Sequence, residues 1–361
     1  MAAVIGVGTA NPSACKGGGQ RIGYTHGRMY RGNARVKLVA AADINPENLA
    51  AFLKQFDVPH GFADYRAMLA QVRPDVVSIG TYVGLHRAMI EDCARAGVKA
   101  IFCEKPFVAS PVELDAVRKT LEQTRAKLMI AHVRRYRPAF DRARRLIADG
   151  AIGQPVMFMA GIEDWDLSEW GSHWLDMFRF LQNDMPVKWV MGQARIRDQR
   201  CYGHATEEHA VAYFGFEDGC RGLLDGGKAL AGDASMTLVG TEGTIRVFGE
   251  SSLAIDTSRG RSTEEFSDPA STGWDDLWSP ICTDLVNWLD GGPEPRISFT
   301  HTRGSAELNL AAYVSMIRGD RIDLPLHDKT DEWPLEILAR RARLGEPAGE
   351  PASAGGPCGL P

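Results

Sequence analysis

The sequence predicts an α/β domain with a doubly wound parallel sheet, followed by an α+β domain carrying a large, mostly antiparallel, open-faced sheet. Three observations predict it. The chain has 361 residues, more than one core usually serves, because single cores stop growing near ~250–300 residues. Its first third alternates short apolar runs with helix-length segments. From Gly153 onward, strand-like segments follow one another with few helices between them.

In the first part, Ala3–Val7, Val36–Ala42, Val76–Gly80 and Lys99–Cys103 read as buried strands. Pro46–Phe56, Tyr65–Val72, His86–Ala96 and Pro111–Thr124 read as the helices between them. Strands joined by helices imply right-handed crossovers and a parallel sheet. Leu128–His132 continues the sheet, and Pro138–Asp149 reads as a helix ending at Gly150. In the second part the strands are Val156–Gly161, Lys188–Ile196, Glu208–Phe216, Gly222–Leu224, Ser235–Val239 and Thr244–Phe248. Turns such as Glu217-Asp218-Gly219 and Thr241-Glu242-Gly243 make antiparallel neighbours of them. Helices at Trp278–Leu289 and Thr302–Arg318 are expected to cover one sheet face or to dock back on the first domain. The expected boundaries are 1–132 for the first domain, 133–335 for the second and 336–361 for a Gly/Pro/Ala/Ser-rich tail.

A hydrophobic fraction of 44% and a charged fraction of 24% are those of an ordinary globular protein. The net charge of −5 speaks against a nucleic-acid binder. The one basic cluster is Arg134, Arg135, Arg137, Arg142, Arg144 and Arg145. It reads as a solvated helix face, or through its first residues as an anion or substrate contact. Seven cysteines without a Cys-x-x-Cys pair make neither a disulfide framework nor a zinc pattern, so a reducing, cytoplasmic setting is expected. No stretch approaches the ~20 apolar residues of a membrane span.

Gly6-x-Gly8 follows the first strand, where glycines permit a tight turn and close approach to a pyrophosphate. Gly8 and Gly23 lie fifteen positions apart where the motif has three, an insertion of twelve within Thr9–Arg21. Asp43 ends the second strand twenty positions after Gly23, the spacing of an acid that binds the adenosine ribose. An acid there repels a 2′-phosphate, which favours NAD over NADP. Lys105, in Glu104-Lys105-Pro106, falls just past the fourth strand, at the sheet edge where such folds bind ligands. A partly desolvated ammonium there can act as a base or stabilise a developing alkoxide.

In the second part, Glu169, His173 and Asp176 have the spacing of one helical face, an arrangement suited to holding an imidazole for proton transfer. No further ligand signal converges on them, so no metal is expected. Trp174 and Trp189 read as core residues. Trp165 and Trp170, flanked by Glu163 and other acids, read as core or as a platform for a sugar ring.

With these residues in hand, the chain resembles the glucose-fructose oxidoreductase, inositol dehydrogenase and rhizopine-catabolism family, Gfo/Idh/MocA. The matching elements are Ala42-Asp43, Asp75–Ile79 with Thr81 and His86, Cys103-Glu104-Lys105-Pro106, Arg134-Arg135-Tyr136, Gly150-Ala-Ile-Gly153, His173-Trp-Leu-Asp176, Gly240-Thr-Glu-Gly-Thr244 and Asp323-Leu-Pro325, spanning about residues 3 to 326. The resemblance implies a Rossmann domain, bound NAD and hydride transfer at a sugar or polyol carbon. It implies cofactor contacts from Gly6, Gly8, Gly23, Asp43, Ile44, Thr81, His86, Glu104 and Lys105. It assigns the catalytic lysine to Lys105 and the proton-transferring histidine to His173 with Glu169, and it places Arg134 near the substrate; Glu163 and Trp165 are expected there from their acidic, aromatic segment itself. It also implies a homodimer or homotetramer. Two positions depart from the family pattern: Glu169 stands where members often carry Asp, and Tyr82-Val83-Gly84 replaces a usual Pro-Asn. An alternative is a glycoside-cleaving enzyme that retains its NAD and oxidises the sugar transiently. A cofactor-binding regulator is disfavoured by the presence of both Lys105 and His173.

Overall fold

The computed structural model describes residues 1–9, 21–163, 166–201, 203–227, 235–266 and 277–345. The first sheet holds β1 (Ala2–Ile5), β2 (Leu38–Ala42), β3 (His60–Phe62), β4 (Val76–Ile79), β5 (Ala100–Cys103) and β6 (Lys127–Ile130) in the order β3-β2-β1-β4-β5-β6. Every neighbouring pair is parallel. Helices α1 (Ile22–Arg31), α2 (Pro46–Phe56), α3 (Tyr65–Val72), α4 (Val83–Arg95) and α5 (Pro111–Thr124) make the crossovers. Because helices cover both faces, β1, β2, β4 and β5 are buried at every residue, which is why they read as unbroken apolar runs. The strand order reverses between β1 and β4, and that switch point opens a crevice at their carboxyl ends. The edge strand β3 went unpredicted because His60-Gly61-Phe62 has neither length nor β-branched residues.

A 3₁₀ turn at Val133–Tyr136 and helix α6 (Pro138–Ala148) lead into the second domain. Its sheet holds β7 (Pro155–Glu163), β8 (Val187–Cys201), β9 (His204–Phe216), β10 (Arg221–Gly227), β11 (Met236–Gly240), β12 (Gly243–Phe248), β13 (Ser252–Thr257), β14 (Gly260–Glu265) and β15 (Ile322–Asp323). Among the described residues of this sheet, only β7 and β10 pair in parallel. One face carries Phe158, Ala160, Ile162, Ala210, Ala212 and Phe214 into a core shared with α6, α7 (Gly171–Leu181) and α9 (Phe299–Arg318). On β8, Gly192 lets α9 lie close, since a Cβ there would stand 2.8 Å from the Ala312 carbonyl oxygen. The alternate positions Met157, Met159, Val211, Tyr213 and Leu223 are half-buried. Trp189, expected in the core, is half-buried too and packs edge-on against Tyr213, with 5.2 Å between ring centroids.

The late helices take both expected places. Helix α8 (Trp278–Leu289) docks back on the first domain, packing Trp278, Ile281 and Leu285 with Tyr30, Phe102 and Met129, whereas α9 covers the second sheet. A third, α10 (Pro334–Leu344), occupies the start of the segment expected as a tail. Its Leu335, Leu338 and Ala339 are buried in the second core. Residues 346–361 lie outside the described residues.

The arginine run is not one solvated face. Arg134, Arg135 and Arg137 are buried, and only Arg142, Arg144 and Arg145 are more open to solvent on α6, paired with Glu264, Asn183 and Asp141. Arg135 grips Asp176 of α7 through two parallel bonds of 2.8 and 2.7 Å and also reaches Asp184 at 2.8 Å. Replacing it strands a fully buried carboxylate. Arg135→Met is therefore expected to cost about 3–5 kcal/mol, read as a lower urea midpoint; a midpoint at the wild-type value would refute the role given to this pair.

Candidate active site

A cavity of about 760 Å³ opens at the switch point, walled by the first domain's strand ends on one side and by Glu169, Trp170 and His173 of the second on the other. Its deeper wall is the β1–α1 turn. Gly6 and Gly8 both have φ of +78°, a conformation that favours glycine. A Cβ on Gly23 would stand 2.6 Å from the Gly6 carbonyl oxygen and 2.6 Å from Val7 Cα, so only glycine lets α1 start against the turn. Asp43 ties the end of β2 to the same turn: its Oδ2 accepts the Val7 and Gly8 N–H groups at 2.9 and 3.4 Å, and its Oδ1 accepts Asn45 N–H at 2.8 Å.

Asn45, Asp64 and Ser110 cap α2, α3 and α5. Among the described residues no side chain caps α1 or α4, and the first residues of both, Ile22 and Val83, line the cavity, as do Asn48 of α2 and Tyr65 of α3. Uncapped N–H groups at a helix start suit a phosphate. At the rim Ile44 is 92% exposed, with Tyr82 and Leu85 about half exposed, leaving apolar surface for a flat ring. The residues therefore fit NAD: a glycine turn and α1 for the pyrophosphate, Asp43 for the ribose, Ile44 for the adenine. The expected insertion falls largely at residues 10–20, outside the described residues.

Thr81 and His86 also reach the cavity. His86 braces its wall, with Nε2 2.9 Å from the Thr81 carbonyl and Nδ1 2.9 Å from the Pro106 carbonyl, so it joins two loops. Glu104 is held by His26 of α1 at 3.1 Å. Lys105 Nζ donates to the Glu169 carbonyl at 3.0 Å and lies 3.4 Å from Glu169 Oε2 and 5.3 Å from the centre of the Trp170 ring.

The expected trio on one helical face does not form. Helix α7 begins at Gly171, so Glu169 lies in the preceding loop, and Asp176 is turned to Arg135. The Glu169 carboxylate instead meets His204 of β9, Oε1 to Nε2 at 2.9 Å. Burial raises the Glu169 carboxyl, but Lys105 and His204 outweigh it and hold it below its ordinary value. Against burial, His204 is held above its own by the same carboxylate. His173 lines the cavity with a buried Nδ1 that has no hydrogen-bond partner among the described residues. Burial first, then the charges of Arg134 and Lys105, keep its ring neutral. His132, whose ring lies 5.8 Å from that of His173, is pushed down to about 4 chiefly by burial.

Other expected contacts fall elsewhere. Arg134 is not on the cavity wall: it is buried, donating to Glu250 at 2.6 Å and lying over Trp174. Glu163 is exposed at the end of β7, away from the wall, and Trp165 lies outside the described residues. The residues that sequence reasoning missed are His204, His26 and the acid pair Asp166 and Glu207. One signal was visible for the pair's second member: Thr206-Glu207-Glu208-His209 interrupts an otherwise apolar strand.

A crevice at the switch point with a glycine turn on one wall and an ammonium–carboxylate pair on the other points to the class, an NAD-dependent oxidoreductase. Residues 14–132 match the model described as "Oxidoreductase family, NAD-binding Rossmann fold", and residues 140–246 match the GFO/IDH/MocA C-terminal domain. The chain belongs to the Gfo/Idh/MocA family. It is 27% identical to D-apiose dehydrogenase of Paraburkholderia graminis over 83% of this chain and 86% of that one. It is 33% identical to inositol 2-dehydrogenase of Rhizobium meliloti over 54% and 62%. A crystal structure of an oxidoreductase from Agrobacterium radiobacter with NAD⁺, L-tartaric acid and magnesium shares the fold at a TM-score of 0.74, with 22% identity over 89% of this chain and 97% of that one.

Gly23→Ala should weaken NAD binding and destabilise the fold by about 1–3 kcal/mol, because backbone rather than a flexible side chain receives the methyl; isothermal titration with NAD at wild-type affinity would count against this packing. A second prediction concerns pH. Burial, then the charge of Asp166, push the Glu207 carboxyl from 4.5 up to about 7. The folded chain thus keeps a proton that the unfolded chain releases, and stability falls as pH rises through that window. Glu207→Gln should gain on the wild type steadily between pH 4.5 and 7 in denaturant unfolding; a constant difference across the window would show that Glu207 does not titrate there.

Proposed function

We propose that the chain is a dehydrogenase of sugars or polyols in which Lys105 binds the hydroxyl being oxidised and helps to deprotonate it, with His173 and Glu169 in proton transfer. The observation that carries this reading is Lys105 itself, on the cavity wall with its ammonium held by Glu169 and set beside the Trp170 ring. D-apiose dehydrogenase and inositol 2-dehydrogenase, the relatives named above, support the substrate class.

When bound, the nicotinamide supplies the hydride acceptor. The chain's own residues do the rest. The ammonium of Lys105 orients the substrate oxygen by hydrogen bonding and stabilises the negative charge that develops on it as the hydroxyl proton leaves. Glu169 fixes the lysine from the opposite domain. His173, neutral by burial, presents an imidazole able to exchange a proton with the same oxygen or its neighbour. Trp170 offers an indole face on which the C–H side of a sugar ring can rest.

Lys105→Met should lower kcat by about 10²–10⁴-fold on D-apiose, myo-inositol or another sugar that the wild type oxidises, followed by NADH absorbance. Turnover near the wild-type value would remove Lys105 from the reaction. In the wild type, protein that purifies with NAD bound and forms no net NADH would favour the glycoside-cleaving cycle instead.

A further inference from the structure

The Glu169 carboxylate is shared. One oxygen faces Lys105 Nζ and the other faces His204 Nε2 at 2.9 Å. The remaining ring nitrogen of His204, Nδ1, lies 2.7 Å from the Ala205 carbonyl oxygen. A carbonyl can only accept, so Nδ1 carries hydrogen. An ionised carboxylate can only accept, so Nε2 carries one as well. The contacts on both nitrogens are thus those of an imidazolium. The ring is buried and does not line the cavity. It packs against Trp333, with 4.0 Å between ring centroids.

We propose that His204 is a positioning residue of the hydride-transfer site: it fixes the Glu169 carboxylate by donating to one oxygen, so that the other oxygen stays against Lys105. The proposal rests on the dehydrogenase reading for its kinetic consequence but not for its geometry. Lys105 comes from the end of β5, Glu169 from the loop before α7 and His204 from the start of β9, so the line of contacts crosses both domains.

The support behind His204 is itself built. Trp333 stands immediately before α10, and Glu336 on that helix accepts Ala205 N–H at 2.9 Å and pairs with Arg200 at 2.8 Å. The charged and titratable groups that act on the pair are therefore Lys105 and His86 through Glu169, Asp166 in the loop before α7, and Glu336 on α10. Without a donor at His204, the Glu169 carboxylate keeps the lysine as its one cationic hydrogen-bond partner. It can then close on the ammonium or swing away, and either movement takes Lys105 from its place on the wall.

Two measurements on the full chain test this. In protein carrying ¹³C-labelled histidine and saturated with NAD, the His204 ring resonance, assigned by its loss in His204→Gln, should stay that of an imidazolium above pH 6.5. In Glu169→Gln its midpoint should fall below 6.5, and in Lys105→Met it should rise, because the carboxylate no longer has a competing cation. A midpoint that moves in neither variant overturns the proposal, and this arm needs no turnover. In kinetics with D-apiose and myo-inositol as probes, His204→Ala should lose roughly 10- to 100-fold in kcat, the range that a charge-assisted hydrogen bond supports, with KM for NAD unchanged. His204→Gln, whose amide can still donate, should recover most of the loss. An Ala variant at wild-type kcat, or Ala and Gln variants equally impaired with lowered melting temperature, would make His204 merely structural. Absence of turnover in the wild type with every sugar would count against the dehydrogenase reading alone, leaving the titration to decide on His204.

Discussion

The site depends on one contact between domains, the meeting of Lys105 with Glu169. Neither residue alone is well defined by its own element. Lys105 stands in the loop after β5, and a lysine side chain carries ~2 kcal/mol of rotamer entropy when unconstrained. Glu169 precedes α7 and lacks the helix that would otherwise hold it. Together they fix each other: the lysine donates to both the carbonyl and the carboxylate of the same residue. That places the ammonium at the cavity wall with 14% of its side chain exposed, open enough to reach a substrate and buried enough to be held.

For the contact to hold, the loop before α7 must be stiff, and the structure shows why it is. Asp166 Oδ1 accepts the Glu169 N–H, Leu167 N–H is taken by Glu207 of β9, and Asn309 of α9 donates to the Leu167 carbonyl at 3.2 Å. Deeper still, Arg135 clamps α7 through Asp176, and Ser305 of α9 donates to the same carboxylate at 2.7 Å. The buried polar groups of the second domain are thus concentrated under the segment that meets Lys105. Arg135 neutralises Asp176 from within this buried cluster, a role quite unlike that of the more open arginines on α6.

The first domain was largely legible because its signals are local. The boundaries of α2, α3 and α5 coincide with Pro46–Phe56, Tyr65–Val72 and Pro111–Thr124, since caps and periodicity are written within each segment. Asp43 and Lys105 were legible through spacing and position on the sheet. What the sequence hid was pairing over distance. Glu169 and His204 lie 35 residues apart, and Glu169 and Lys105 64; no helical or strand period links them, whereas Glu169 and His173 have a helical spacing that the late start of α7 leaves unused. The buried arginines were hidden for a similar reason: Glu250 and Asp176 neutralise them from elements far along the chain. The Gly- and Pro-rich residues that follow it likewise masked α10, whose Leu335 and Leu338 find their core against elements far back along the chain.

The states of four histidines near the site, His86, His132, His173 and His204, follow from two opposed influences. Burial disfavours the charged ring in every case. At His173 the neighbouring cations Arg134 and Lys105 reinforce burial, and at His132 burial prevails although the charge of Asp176 opposes it, so both rings are held neutral. At His204 a carboxylate opposes burial and prevails. His86 lies between: two carbonyls and the charges of Glu104 and Glu169 favour its charged form, yet burial wins. Neighbouring titratable groups pushed apart in this way separate acid and base roles within one site. The neutral His173 lines the cavity, where proton exchange is useful, as does His86, whereas the imidazolium of His204 is kept from it, where a fixed charge steadies Glu169. An Asp at 169, one methylene shorter, would leave a gap to the lysine, to His204 or to both, so the longer side chain and the β9 histidine make structural sense only as a pair.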